Sequence, residues 1–456
     1  MGYGEIMRIQ LSDHFNYKRL LRFAFPSISM MVFTSIYGVI DGFFVSNYAG
    51  KIPFFAVNLI YPFLMILGAV GFMLGSGGTA IVSKLLGEKN KDDANKYFSM
   101  LVYITIGCGI VFTLIGELII PDIARLFVSG QKLDPEVEKQ ILEYSILYGR
   151  IILLTITFFM LQNVFQSFFT TAEKPFYGFI ITLISGCTNI VLDGILVGVV
   201  KMRITGAAIA TCMSQIVGAV IPLIYFSIKN NSLLRLGKPK FNGKVLLKAC
   251  TNGLSEFITN ISGSLVSIVY NFQLLRLAGE NGVSAYGVMM YVNFVYVAIF
   301  IGYSISTAPI IGYNYGANNK DELKNIVKKS IVLMGVFGLF MTILALVLAY
   351  PISKMYVGYD QELFEMTKNA FYIFSISFVF TGYSIYISSM FTALGNGLVS
   401  GLISFLRTIV FQIACVLIFP LFWGLNGAWI ALLVAEILAT IVAAIFLILK
   451  RKKYNY

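Results

Sequence analysis

Phe25 to Asn47 reads F-P-S-I-S-M-M-V-F-T-S-I-Y-G-V-I-D-G-F-F-V-S-N. The stretch is apolar almost throughout and exceeds the about 20 residues needed to cross a bilayer as a helix. It holds one ionisable side chain, Asp41. A carboxylate at membrane depth is costly and marks a functional position by default. Asp41 therefore needs a partner, a purpose, or both, and the rest of the chain is read for what could surround it.

The same apolar character runs through all 456 residues, of which 58% are hydrophobic and 12% charged, with a mean hydropathy of +0.81. A soluble domain carries about 25% charged residues, so the chain reads as a polytopic membrane protein. No cleavable signal peptide is expected, because the first apolar segment follows Arg8, Lys18, Arg19 and Arg22 and is too long for an h-region. The five cysteines (Cys108, Cys187, Cys212, Cys250, Cys415) stand singly and His14 is the only histidine. That pattern argues against zinc sites and disulfides and leaves the cysteines as small core residues. No cofactor is expected.

Twelve apolar windows are long enough to span, from Tyr17–Tyr48 and Pro53–Lys84 through Lys139–Phe169 and Lys244–Ala278 to Leu398–Pro420 and Asn426–Lys450. Most of the 34 lysines and arginines fall in alternate segments: the N-terminus, the loops holding Lys89, Lys174, Lys238 and Lys320, and the tail from Lys450 to Lys453. The opposite side has fewer, diluted by acids such as Asp134, Glu136, Glu138 and Asp360. By the positive-inside rule both termini are cytoplasmic, in a multi-pass protein of the plasma membrane. The net charge of +12 is then a topology signal with some attraction to anionic lipid, not a nucleic-acid footprint.

An internal repeat organises these spans. Gly75-S-G-G-T-A-I-V-S-K-L-L-G-E-K-N-K-D-D-Ala94 echoes Ser304-I-S-T-A-P-I-I-G-Y-N-Y-G-A-N-N-K-D-E-Leu323, with Gly87 over Gly316. Phe169-Thr170-Thr171-Ala172 echoes Phe391-Thr392-Ala393-Leu394, and Gly206-Ala207-Ala208 echoes Gly427-Ala428-Trp429. Three echoes half a chain apart predict an all-α protein of two six-helix lobes. Since six is even, the pseudo-twofold runs along the membrane normal. The expected division is 1–228, a linker at 229–243, and 244–456.

Few ionisable residues lie deep in the spans: Asp41, Asp193, Glu256, Arg407 and Glu436. Asn189 and Asp193 are four apart and share a helix face, as do Thr211 with Gln215 and Tyr37 with Asp41. Asn163 and Gln166 add amides on the fourth helix. Two carboxylates with amide and hydroxyl oxygens suit a small hard cation or a proton held between like charges. Each could instead be a lone polar side chain satisfied by neighbouring backbone or acting as helix-packing glue. In the second half, repeat alignment puts Cys415 near the place of Asp193 and Tyr270 or Asn271 at that of Asp41. Arg407 and Glu436 could pair across the last two helices or contact substrate, and Glu256 lies nearer the cytoplasmic side. The 39 Phe, 26 Tyr and 17 Met mostly fill helix interfaces, and some could line a cavity for flat lipophilic cations. There is no GxxxxGK[ST] loop and no Ser/His/Asp or Cys/His set, so the chain reads as a non-enzyme whose transport is driven by an ion gradient.

Taken together, twelve helices in two parallel halves, Asp41, Asn189-x-x-x-Asp193, Thr211, Gly87-E-K-N-K-D-D and Gly-L-S-Glu256-F resemble the multidrug and toxic compound extrusion (MATE) transporters, in particular their bacterial MepA/DinF-like branch. The resemblance covers essentially the whole chain. It implies a V-shaped monomer exporting cationic amphiphilic drugs or other xenobiotics in exchange for Na+ or H+. It makes Asp41, Asn189, Asp193 and Thr211 the cation site, with Tyr37, Asn163, Gln166, Gln215, Glu256, Asn271 and Arg407 as substrate or gating residues. Other branches carry a deeper acid in helix seven that this chain lacks, so no second cation site is expected. The alternative is a flippase for lipid-linked oligosaccharides from the related superfamily, which would want basic residues inside its cavity.

Overall fold

The longest run of helical hydrogen bonds, Leu254–Gly316, has 63 residues. At 1.5 Å per residue a straight helix of that length would reach about 95 Å, three times the roughly 30 Å hydrocarbon core. Gly279 breaks it, with φ 61° and ψ −149° inside the run. No L side chain takes that conformation comfortably, so one glycine makes the whole turn. Gly424, at φ 54° and ψ −134°, does the same between the last two helices.

With these turns placed, the computed structural model, which describes residues 9–129 and 135–456, has twelve spans among the described residues. They are α1 (Tyr17–Ala49), α2 (Ile52–Gly87), α3 (Lys91–Ser129), α4 (Pro135–Leu153 with Ile156–Thr171), α5 (Pro175–Val199), α6 (Arg203–Ser227), α7 (243–278), α8 (280–316), α9 (Lys320–Val357), α10 (Gln361–Ala393), α11 (397–423) and α12 (425–454). Arg8 and Asp134, used above in the charge reading, lie outside the described residues.

Two expected single helices are broken. In α4 the two segments meet at 54°. There the Thr155 N–H donates to the Ile152 carbonyl at 3.0 Å, three residues back, and its hydroxyl donates to Gln215 Oε1 of α6 at 2.7 Å. In α7 the amphipathic segment Gly243–Asn252 ends at Gly253, whose missing side chain lets the backbone of α2 approach: a Cβ there would sit 1.9 Å from the Met73 carbonyl oxygen.

The repeat is visible in the turns. Left-handed residues recur at matching positions, Gly50 with Gly279, Lys89 with Asn318, and Glu173 with Gly395. It is visible in the packing too. Gly109 lies on Thr157, and its counterpart Gly338 lies on Val379. Gly71 accommodates Met160, whereas at the same crossing of the other lobe Phe300 fits over Gly382, so the large and small partners have changed sides.

The lobes meet where α2 crosses α8. A Cβ on Gly312 would lie 2.1 Å from Ser83 Oγ, one on Gly87 2.0 Å from the Tyr313 carbonyl, and one on Gly316 2.1 Å from the Lys84 carbonyl. The last two contacts exchange under the repeat, so the pseudo-twofold passes close to Ser83 and Gly312. This closure lies at the face holding the start of α1, the end of α12 and the basic loops, called here the basic face.

A short N-terminal segment straps that face. Leu11 and Phe15 are fully buried, each burial in water being worth about 1.5–3 kcal/mol. The Leu11 amide donates to Glu173 Oε1 of the first half at 2.8 Å, while its carbonyl accepts from Asn314 of α8. Phe15 N–H donates to Glu322, which also meets His14 Nδ1 at 2.6 Å.

Candidate functional site

Phe33, Tyr37 and Asp41 repeat at four-residue intervals and so form one face of α1. On α5, Gly186, Asn189 and Asp193 form the opposing face. The two faces can meet because Gly186 carries no side chain: a Cβ there would lie 2.5 Å from Phe33 and 2.9 Å from Tyr37. One turn further along, the Asp41 carboxyl stands beside the side chains of Asp193 and Asn189, close enough for them to act on its charge. Asp193 is fully buried and Asn189 is 2% exposed. Asp193 also opens a π-helical stretch, Asp193–Val199. Such a widened turn inside an α-helix re-aims side chains and is frequent at functional sites.

The chemistry of this cluster is one-sided. Asp41 Oδ1, both carboxylate oxygens of Asp193 and Asn189 Oδ1 are buried without a donor among the described residues. Two ionised carboxylates offer each other only acceptors, so their contact becomes bonding only with a proton or a cation between them. Tyr37, Tyr61 of α2 and Tyr148 of α4 stand within electrostatic range of Asp41. Tyr61 and Tyr148 were not singled out in the sequence.

The other expected residues are placed elsewhere. Thr211 is half-buried on α6, and its hydroxyl makes no hydrogen bond to the pair among the described residues. Asn163 Nδ2 donates to the Phe159 carbonyl at 2.8 Å, Gln166 Nε2 to Thr182 Oγ1 at 3.2 Å, and Gln215 accepts from Thr155. These are local and helix-to-helix bonds, the glue expected in a membrane bundle. Asn271 is exposed on α7, and Tyr270 takes the inward place instead. Arg407 binds Glu436, with Nη2 at 2.9 Å from Oε1 and Nε at 3.0 Å from both oxygens, and Glu256 lies within the field of Arg407.

A family model described as MatE matches the chain twice, over residues 26–195 and 257–418. The chain belongs to the MatE family. Multidrug export protein MepA of Staphylococcus aureus (strain MRSA252) is 24% identical over 444 residues, 96% of this chain and 94% of the relative. The MepA of Staphylococcus haemolyticus (strain JCSC1435) is 26% identical over 437 residues, 94% and 92%. Among solved structures, a MATE in complex with MaL6 superposes with a TM-score of 0.89 at 21% identity, covering 97% of this chain and 98% of that one. A MOP superfamily transporter from Pyrococcus furiosus Vc1, described as having a binding pocket of reversed polarity, gives 0.88 at 20% identity over the same shares. These likenesses show the MATE fold of two six-helix lobes.

In this MatE chain the repeat mate of the acid pair is neutral. With Gly87 over Gly316, Asp41 falls on Tyr270; with Phe169 over Phe391, Asp193 falls on Cys415. Tyr270 is stacked on Tyr286 with centroids 4.9 Å apart, and Cys415 lies near it.

Proposed function

We propose that the protein is an antiporter that exports organic cations or related xenobiotics across the plasma membrane in exchange for Na+ or H+, by alternating access. The observation that carries this reading is the group of four donor-free acceptor oxygens on Asp41, Asp193 and Asn189. A proton would supply the missing donor, and Na+ would supply the missing charge to oxygen ligands of the kind hard cations prefer. The likeness to MepA relatives named as multidrug export proteins, matched along 96% of this chain, supports drugs as the cargo.

In this reading the bundle is a monomer of halves 1–228 and 244–456 joined by 229–243, with the basic face in the cytoplasm. Helix α1 carries Asp41 and also touches the other half. The Ser35 hydroxyl donates to the Phe294 carbonyl at 3.3 Å, and Gly302 lies against Ser27 and Ile28. Loading the acid pair would thus be felt at the lobe interface. When the α2–α8 crossing opens, the discharged pair would offer negative charge to a cationic drug; when it closes, cation uptake from the other side would remove that charge and release the drug. Thr211 would complete the cation site only after a shift of α6. The flippase reading needs a free cation deep in the spans to meet a diphosphate lipid, and Arg407, the basic residue at that depth among the described residues, is committed to Glu436.

Reconstitution into proteoliposomes loaded with ethidium tests the proposal. Efflux should be driven by a Na+ gradient, a pH gradient, or both. Equal rates with and without either gradient, or gradient-independent flipping of a fluorescent diphosphate lipid, would end the antiport reading.

A further inference from the structure

A cavity of about 320 Å³ lies between the lobes at the basic face. Its charged lining comes from both halves: Lys84 and Glu88 from α2, Lys248 from α7 and Lys453 from the end of α12, with Asn252 of α7 beside them. Glu88 is engaged by Lys84 at 3.5 Å, and Lys84 Nζ also sits 5.5 Å from the Tyr315 ring centre. Lys248 and Lys453 have no carboxylate partner among the described residues. Three lysines therefore line one space with a single acid among them, and Lys453 Nζ also sits 5.3 Å from the ring centre of Tyr454.

A second observation points into the same space. Asn252 is 1% exposed, yet its Nδ2 has no acceptor among the described residues. A buried amide donor without an acceptor is unfavourable and calls for a ligand atom or an ordered water. Lys248 and Asn252 are four apart on one helix and flank the same turn. A Cβ built on Gly395 would meet Lys248 Cε at 3.8 Å and Asn252 Nδ2 at 3.9 Å. At roughly 30 Å³ per liquid water, the cavity holds on the order of ten waters' volume, enough for a group the size of a diphosphate.

We propose that this cavity binds a phosphorylated anion, which holds the two lobes together at the basic face. Several acceptor oxygens and more than one negative charge match a lysine-lined site with an unmet amide donor. Because the lining is shared between the halves, the anion favours the conformation in which they meet there. It is separate from the cargo and from the Asp41–Asp193 pair. The phosphoryl oxygens could belong to a soluble phosphate compound or to an acidic lipid headgroup.

Thermal unfolding of the full-length protein in phosphatidylcholine nanodiscs separates the sources. One arm titrates inorganic pyrophosphate; the other replaces part of the lipid with phosphatidylglycerol. At least one should raise the unfolding temperature saturably, pyrophosphate indicating a soluble anion and phosphatidylglycerol alone a headgroup. Lys248→Gln or Lys453→Gln should weaken the response about tenfold, and Asn252→Leu should weaken it further. Lys244→Gln, on the same helix but outside the cavity, should leave it unchanged. Lys248 and Lys453 are exposed, so their variants should fold even if Asn252→Leu does not. No shift with either probe, or equal shifts in wild type and both lysine variants, would overturn the proposal.

Discussion

With Phe169 over Phe391, Gln162, Ser185 and Ser214 of the first lobe fall on Ser384, Arg407 and Glu436 of the second. Both sets meet at the junction of three corresponding helices. In the first lobe Gln162 Nε2 donates to Ser185 at 3.4 Å, and the Ser185 hydroxyl donates to the Ser214 carbonyl at 2.8 Å. In the second, Ser384 donates to Glu436 at 3.2 Å and Arg407 pairs with the same carboxylate. A little further along, Gln166–Thr182 and Ser388–Ser404 are again equivalent hydrogen bonds. The scaffold is thus common to both lobes, and the charges placed on it are not. At this junction the second lobe carries an acid with its base already supplied, so the Arg407–Glu436 pair is neutral. The first carries two acids and no base, at a place where the second has Tyr270 and Cys415. Of these two acidic places, the one in the first lobe lacks a base of its own.

That contrast can be broken in several places. Arg407→Gln should cost about 3–5 kcal/mol of stability, because it strands the buried Glu436. The double variant Arg407→Gln/Glu436→Gln should recover most of the loss in a thermal unfolding series. A smaller effect is expected at the lobe crossing. Gly87→Val or Gly316→Val forces a side chain onto a carbonyl about 2 Å away, an overpacking penalty of about 1–3 kcal/mol. Ethidium efflux should fall roughly tenfold, and crosslinking across the basic face should diminish. Smaller again, Gln166→Ala should cost about 0.6 kcal/mol, the average of a polar contact between membrane helices, with coupling retained. Tyr270→Phe and Cys415→Ser should change efflux less than about twofold. A large loss in either would mean that the second lobe also carries a coupling site.

Much of this was legible in the chain. Asp41 stood out because nothing else in its helix is charged, and the four-residue spacing of Asn189 and Asp193 gave their shared face. The structure brings those three side chains together. The two-lobe plan was legible because Asn90-Lys91-Asp92 and Asn319-Lys320-Asp321 resist coincidence. What periodicity could not reveal was the direction in which an inward-facing amide bonds. Gln166 and Gln215 share faces with functional-looking neighbours, yet they bond to Thr182 and Thr155. Spacing gives a face, not a partner. The turn at Gly279 was legible, because the apolar window ends at Ala278 and polar residues follow, whereas the bend at Thr155 was hidden because hydropathy continues through Lys139–Phe169. Tyr61 and Tyr148 carried no signal, being two of 26 tyrosines in an aromatic-rich chain.

What most needs testing is whether the donor-free oxygens of Asp41 and Asp193 hold the coupling ion. Asp41→Asn and Asp193→Asn, each reconstituted at the wild-type level, place an amide donor beside the remaining carboxylate and should keep the fold. Ethidium efflux driven by a Na+ or pH gradient should drop to the leak of protein-free liposomes in both, while ethidium binding to the purified variants weakens but persists through the remaining carboxylate. Gradient-driven efflux at half the wild-type rate or more in either variant would contradict a cation held between the two acids.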